Sequence, residues 1–478
     1  MKRIINCMIA VTITCGVSMF SSCSSDKDDD VVQNQSSKNR IEFVEHTRSV
    51  MKTLTENMNF TSWEAANMLN MYFNEYVLNN ENFNQAVLVA FMQKMIGSVQ
   101  PVDENSELAM LGYKMYGTVD FSEFKYRFTM NRENTGFDME EADDFEVILN
   151  GWNAWTQQLE NEMYKLSIKA GGNQNYKFVH ATSQLDSLAV VFIMPSELRF
   201  VISDKTSGAW KECFTGTFQN HVSVAAGHEY AKLARDTWSV SGSVSSNFPA
   251  VSGLNDLGDQ STLNFSIVNN REDYTGEYSF GWEQNGQKMV DLVLKQSRDA
   301  DGGIANIDMS QFTSTSSLLD VFAAWMSTRR LDEARLTLLD DLTTTISISD
   351  MAKSVELAHA SASARRENAD EAVIDQYTQQ LNAIIKAEMT CKGVNQTIPM
   401  KLVTTKFGVD YWTMPAFSFA DGSDYVSLVD LLDTQSVAYG INIVDHAAEP
   451  MQQSIIIVRQ LIQYMLGLSG DFQLSQSE

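Results

Sequence analysis

The first block of the chain carries apolar residues at helical spacing. Trp63, Ala66, Leu69, Phe73 and Tyr76 follow Thr61-Ser62-Trp63-Glu64, a capping-box pattern with Thr at the N-cap and Glu three residues on. Leu88, Phe91 and Met95 continue the pattern up to Gly97, so residues 41–115 are predicted to be a helical region. From about residue 117 the period falls to two. Phe124, Tyr126, Phe128 and Met130 alternate with Lys125, Arg127 and Thr129, which predicts a strand with one buried and one polar face. Phe145, Val147 and Leu149 alternate likewise, as do Leu198, Phe200 and Ile202, and Leu263, Phe265 and Ile267. Asn285-Gly286 lies between two such runs and tolerates the positive φ values of a type I′ turn, so a hairpin is expected there.

Residues 116–312 therefore read as an antiparallel β-sheet or sandwich. Helical spacing returns over 313–390. There Leu318, Phe322 and Trp325 share one face, and Val373, Tyr377, Leu381, Ile384 and Glu388 share another. The last stretch, 391–478, is expected to add strands from Thr397 to Phe419. A C-terminal amphipathic helix through Met451, Ile455, Val458, Ile462 and Met465 is expected to pack on the β region. No period of 20–50 residues recurs, which argues against a solenoid. The predicted fold class is α+β: a helical N-terminal region, a central antiparallel sheet or sandwich, and further helices.

The extreme N-terminus has a different texture. Lys2 and Arg3 precede a mostly apolar stretch from Ile4 to Met19, and Phe20-Ser21-Ser22-Cys23 follows. An apolar residue three positions before a Cys, with small residues between, resembles the lipobox of bacterial lipoproteins. The resemblance implies a signal peptide over 1–22, cut before Cys23, with lipid on that thiol. An ordinary signal peptide or a membrane-spanning anchor is the plainer alternative, but the apolar stretch falls short of the ~20 residues that a span needs. Lys27-Asp28-Asp29-Asp30 resembles the surface-export tag of Bacteroidota lipoproteins, against the ordinary reading of such a run as solvated charge. Residues 31–40 are polar and aperiodic, so 23–40 is expected to be a lipidated, flexible tether.

Composition narrows the function classes. The 478 residues hold 61 acidic against 35 basic side chains, a net charge of -26. Such a body repels phosphate backbones, which excludes a nucleic-acid partner and leaves membrane attachment to the acyl chains. A hydrophobic share of 44% excludes disorder of the whole chain. Of the five Cys, Cys7 and Cys15 would leave with the signal and Cys23 would be acylated. Cys213 and Cys391 remain, either bridged, which the envelope permits, or as two buried thiols.

Few motifs point to chemistry. Six His are present without a His-Glu-x-x-His pair, and neither a Gly-x-Ser-x-Gly elbow nor a Gly-x-x-x-x-Gly-Lys loop occurs. His221 and His228 stand seven apart in a segment that reads as strand or loop, and polar surface His describes them better than a metal site. Ser297, Asp299, Asp301, Gly302, Ile304 and Asp308 fall near the positions of an EF-hand loop. Asp299, Asp301 and Asp308 are thus a calcium candidate. Ser at the first position, the short Asp at the last and a strand rather than a helix before it favour a plain turn instead. No other metal ligand and no catalytic residue is assigned, and no cofactor is expected beyond the lipid on Cys23. Trp152 and Trp155, in Asn-Gly-Trp-Asn-Ala-Trp, are a candidate sugar platform, since flat rings stack on flat ligand faces.

Taken together, the lipid signal, the helical front, Gly-Thr-Val-Asp-Phe (117–121), Phe-Thr-Gly-Thr-Phe (214–218) and the helix running through Leu381-Asn-Ala-Ile-Ile-Lys-Ala-Glu388 into Cys391 make the chain similar to a group of uncharacterised Bacteroidales outer-membrane lipoproteins. That likeness implies a lipid-anchored outer-membrane protein facing outward and supplies no activity. The expected function is a non-enzymatic binding or envelope-interaction role, with a glycan or an outer-membrane protein as partner. The alternative is an envelope hydrolase acting on a glycan. An exposed aromatic groove would favour glycan binding, a flat apolar patch a protein partner, and a deep cleft with two close carboxylates an enzyme.

Overall fold

The computed structural model describes residues 35–57, 74–78, 80–153, 158–180, 187–205, 208–224, 235–246, 260–270, 275–297, 330–407, 409–419 and 425–427. They form two compact units, one of 35–57 with 275–427 and the other of 74–270. Helix α1 (Gln35–Asn57) belongs to the first of these, although the rest of that unit comes more than two hundred residues later.

The 74–270 unit starts with a π-helical turn (Asn74–Leu78) and helix α2 (Glu81–Ser98). Asn80 caps α2, its side-chain oxygen accepting from the backbone N–H groups of Asn82 and Phe83 at 3.0 and 3.1 Å. The buried face of α2 is Phe83, Val87, Ala90 and Met95. Leu88, expected to be buried, is exposed on the flank. Ten strands follow: β1 (Gln100–Pro101), β2 (Met115–Asp120), β3 (Tyr126–Met130), β4 (Phe137–Glu141), β5 (Phe145–Asn153), β6 (Gln158–His180), β7 (Leu188–Asp204), β8 (Lys211–Val224), β9 (Arg235–Ser246) and β10 (Ser261–Asn270). A four-residue helix, α3 (Glu107–Met110), separates β1 from β2.

Strands β5 to β10 run as an antiparallel series, and β4 pairs antiparallel with β3. Two pairings are parallel: β2 with the start of β7, and β3 with β5. Strand β7 is buried over most of both faces, which is why its apolar residues run nearly without interruption. The alternation expected in β3 is present, with Tyr126, Phe128 and Met130 inward, and Phe83 of α2 packs edge-on against Phe128 with centroids 5.4 Å apart.

The other unit is an antiparallel meander. Its strands are β11 (Thr275–Gln284), β12 (Gln287–Ser297), β13 (Arg330–Leu338), β14 (Leu342–Ile348), β15 (Ile385–Cys391), β16 (Gln396–Phe407), β17 (Asp410–Ser418) and β18 (Tyr425–Ser427), each paired with the next. Asn285 and Gly286 close the β11–β12 hairpin with φ of 51° and 77°, the type I′ geometry read from the sequence. Helices α4 (Met351–Arg366) and α5 (Glu371–Ile384) are inserted between β14 and β15, and the side chains of α5 reach β16 and β17. Asp350 and Asp370 cap them, each accepting a backbone N–H three residues on. Helix α1 lies on the end of the meander, where Phe43 is fully buried with ring centroids 6.2 Å from Phe417 and 5.5 Å from Phe419.

The α+β expectation of a helical front, an antiparallel or sandwiched centre and further helices is corrected by this architecture. Eighteen strands, in mixed rather than purely antiparallel pairing, dominate the five α-helices among the described residues. Three physical causes account for the difference. Parallel pairing joins strands that are not neighbours in the chain and leaves no local mark. Residues 330–348, expected to be helical, are the β13–β14 hairpin, where a register shift between Leu331 and Ala334 breaks the period-two alternation that Ala334, Leu336 and Leu338 otherwise keep. In α5 the buried positions are Ile374, Thr378 and Leu381, while Val373 is exposed and Glu388 falls in β15. The C-terminal helix expected after Met451 lies outside the described residues.

Candidate functional site

Strand period and register together place a set of charged side chains on the solvent face of the 74–270 sheet. Tyr126, Phe128 and Met130 turn inward, so Arg127 and Thr129 turn outward. Arg127 faces Glu140 across the β3–β4 pair and Glu146 across the parallel β3–β5 pair. Ile148 of β5 in turn faces Lys165 of β6. With Glu162 and Trp210 these residues line a cleft of about 260 Å³, just under the ~300 Å³ at which small-molecule sites begin.

The charges in the cleft are matched. Arg127 Nε donates to Glu146 Oε2 at 2.7 Å and Nη1 to Glu140 Oε1 at 2.9 Å. Lys165 Nζ lies 3.6 Å from the other Glu146 oxygen, which also accepts from the Ser167 hydroxyl at 3.3 Å. Lys205 Nζ reaches Glu162 Oε2 at 3.0 Å. Hydrogen bonds to Glu146 and then Glu140 raise the Arg127 pKa above its ordinary value, so the guanidinium is a fixed charge. The ammonium groups of Lys165 and Lys205 each lie 5.2 Å from the Trp210 ring centroid, within cation–π range. Two cations and three carboxylates therefore line the cleft with an indole, and Lys205, beside it, pairs with the third carboxylate so that the formal charges of the group cancel.

A distortion of the sheet shapes the cleft. The β5–β6 register shifts between Leu149 and Gly151, and opposite the shift Glu162 adopts φ of 54°, a left-handed conformation rare for residues other than glycine. Asn150, 1% exposed, holds this bulge. Its side-chain oxygen accepts the Glu162 N–H at 3.2 Å, and its NH₂ donates to the Asn131 carbonyl at 2.7 Å and Asn134 Oδ1 at 2.8 Å. Bulges commonly re-aim a side chain beside a site, and this one sets Glu162 into the cleft wall. The exposed pairs, Arg127 with Glu140 and Lys205 with Glu162, supply little stability, since such pairs contribute ~0.2–1 kcal/mol each.

The residues singled out in the sequence fare differently. Cys23, Lys27, Asp28, Asp29 and Asp30 lie outside the described residues, as do Asp299, Asp301, Asp308 and Trp155. The backbone of Trp152, in β5, pairs with Leu159 of β6, and its side chain is outside the described set. Cys213 and Cys391 are both buried free thiols. The sequence pattern alone does not mark Glu146 or Trp210, although Arg127 stands on the polar half of the β3 alternation. The signal that could have found them is the polar face of that alternation read across neighbouring strands, which requires the register. Among the described residues no helix is long and apolar enough to cross a membrane. No known protein family, no curated protein and no solved structure matches the chain.

Proposed function

We propose that this is a lipid-anchored, outward-facing outer-membrane protein whose 74–270 unit binds a neutral, hydroxyl-rich glycan in the Arg127–Glu146–Trp210 cleft. One observation carries the binding reading: a strained, Asn150-held bulge sets Glu162 into a cleft whose charged lining, together with Lys205 beside it, balances to zero net charge around an indole. Such a lining rewards alternating hydroxyl donors and acceptors and gives no net attraction to an ion. The sugar ring would replace a lysine ammonium over the Trp210 face. The anchoring half of the proposal rests on Phe20-Ser21-Ser22-Cys23 after the apolar stretch and on Lys27-Asp28-Asp29-Asp30. The hydrolase alternative finds less support, because glycoside hydrolysis sets its acid in apolar surroundings and the carboxyls of this cleft each face a cation.

Two experiments test the two halves. Calorimetric titration of the protein with a panel of neutral oligosaccharides should find at least one ligand whose binding Trp210→Ala removes. Absence of heat with every member, or full affinity in Trp210→Ala, overturns the glycan reading. For the anchor, Cys23→Ala should move the protein from the membrane to the soluble fraction. Replacement of Lys27 to Asp30 by Ala should hide it from protease added to whole cells while leaving it membrane-bound.

A further inference from the structure

In the other unit, three side chains that do not belong to the cleft meet at one point. His46 comes from α1, Asp341 from the turn between β13 and β14, and Cys391 from the end of β15. His46 Nε2 lies 2.9 Å from Asp341 Oδ2, Cys391 Sγ lies 3.9 Å from Asp341 Oδ1, and the three donor atoms all fall within 4.8 Å of one another. We propose that His46, Asp341 and Cys391 bind one divalent transition-metal ion of the zinc class, which clasps α1 to the meander.

The donor set selects the metal. A thiolate, an imidazole and a carboxylate together suit zinc, whereas calcium and magnesium take oxygen. Bonds of ~2.0–2.3 Å in a tetrahedron put ligand atoms ~3.3–3.6 Å apart. His46 Nε2 lies 2.9 Å from one Asp341 oxygen and Cys391 Sγ 3.9 Å from the other, and one ligand atom from each of the three lies within 4.8 Å of the rest, so side-chain adjustment within the existing cluster brings them to that spacing. Thiolate and carboxylate together cancel its charge. As it enters, the Cys391 proton leaves to solvent, and His46 changes from hydrogen-bond partner of Asp341 to lone-pair ligand with its ring proton on Nδ1. His46 and Asp341 are 25% and 24% exposed, which leaves a solvent route and a fourth position for water.

The surroundings already orient the ligands. The Gly393 N–H donates to Asp341 Oδ1 at 3.2 Å, and the Lys392 N–H to the Asp341 carbonyl at 3.4 Å, as outer-shell partners do in metal sites. Gly393 itself stands bare against the imidazole, where any Cβ would run into the ring. An ion here would join residues separated by 295 and 50 positions in the chain, so its loading stabilises the folded unit by linkage.

The test uses untagged full-length protein stripped with a chelator and titrated with Co²⁺, then with Zn²⁺. The expected result is one cobalt per chain with a thiolate-to-cobalt charge-transfer band, displaced by zinc, and a rise in melting temperature on zinc loading. Cys213→Ala should keep the band, and Cys391→Ala should lose it. Should Cys391→Ala not fold, His46→Gln on the helix surface serves instead: it should keep a thiolate band while weakening cobalt binding at least about tenfold. No band in the native protein, or unchanged affinity in His46→Gln, overturns the proposal. Neither result bears on glycan binding.

Discussion

The backbone N–H of Glu162 donates to Oδ1 of the buried Asn150 at 3.2 Å, and this bond holds Glu162 at φ of 54°. A left-handed conformation costs a non-glycine residue ~1–3 kcal/mol, and the surrounding structure must over-determine it. Asn150 does so because its NH₂ is itself fixed on the Asn131 carbonyl and Asn134 Oδ1, in the turn between β3 and β4. Asn150→Ala is therefore expected to cost ~1–3 kcal/mol, since it strands buried partners, and to weaken glycan binding. Glu162→Gly separates the two effects. It removes the strain, so stability should hold or rise, while the cleft loses a carboxylate and binding falls. A glycine variant that binds as well as wild type would detach the bulge from function.

Arg127 bridges Glu140 and Glu146, and Glu146 is the more buried acceptor at 12% exposure. Arg127→Met alone leaves Glu146 to Lys165 and Ser167. It should cost more than the ~0.2–1 kcal/mol of an ordinary surface pair. Removing the carboxylate as well, in Arg127→Met with Glu146→Gln, should cost less than the sum of the single changes. Urea denaturation of the four proteins gives the coupling directly, expected at ~0.5–3 kcal/mol. Additive costs would mean that the pair is only a rim contact.

What the sequence discloses here is local. The β3 alternation and the Asn285-Gly286 turn are written in neighbouring residues, and both stand in the structure. Non-local relations are not written that way. Nothing near Met115 announces that it pairs in parallel with Leu188, and nothing near α1 says that its partners are Phe417 and Phe419. In β13 the register shift sets the buried Leu331 and Ala334 three positions apart, so the alternation of Ala334, Leu336 and Leu338 covers only the end of the strand. The cleft follows the same division. Arg127 was visible as a polar alternate, but its grouping with Glu146, Lys165 and Trp210 depends on register. His46, Asp341 and Cys391 form no spacing motif at all.

Phe43 is an apolar contact by which α1 holds the meander, packing against Phe417 and Phe419 with none of its own surface exposed. Phe43→Ala removes a buried ring and leaves a cavity, a change that costs ~3–5 kcal/mol. The expected readout is a lower urea midpoint together with faster proteolytic release of the segment containing α1. Zinc should recover part of the lost stability, because the proposed clasp joins the same helix to the same unit. An unshifted midpoint would show that the Phe43 contact does not hold α1 to the meander.

Cys213 gives a prediction in pH. Its thiol is 1% exposed, with Sγ directed at the Ile202 carbonyl at 3.2 Å. Burial first, and the charge of Asp204 second, push its pKa up from 9.0 to about 12. The folded chain thus keeps the proton where the unfolded chain releases it. Stability from this group is complete below pH 9 and is lost as pH rises from 9 toward 12, at up to ~1.4 kcal/mol per pH unit. Cys213→Ala should flatten that part of the stability profile. Because the thiolate is the reactive form, native Cys213 should also resist iodoacetamide at pH 8 and react only after unfolding, as peptide mass spectrometry would record. Rapid labelling of the native protein at Cys213 would show that the strand pair β7–β8 opens far more readily than its packing implies.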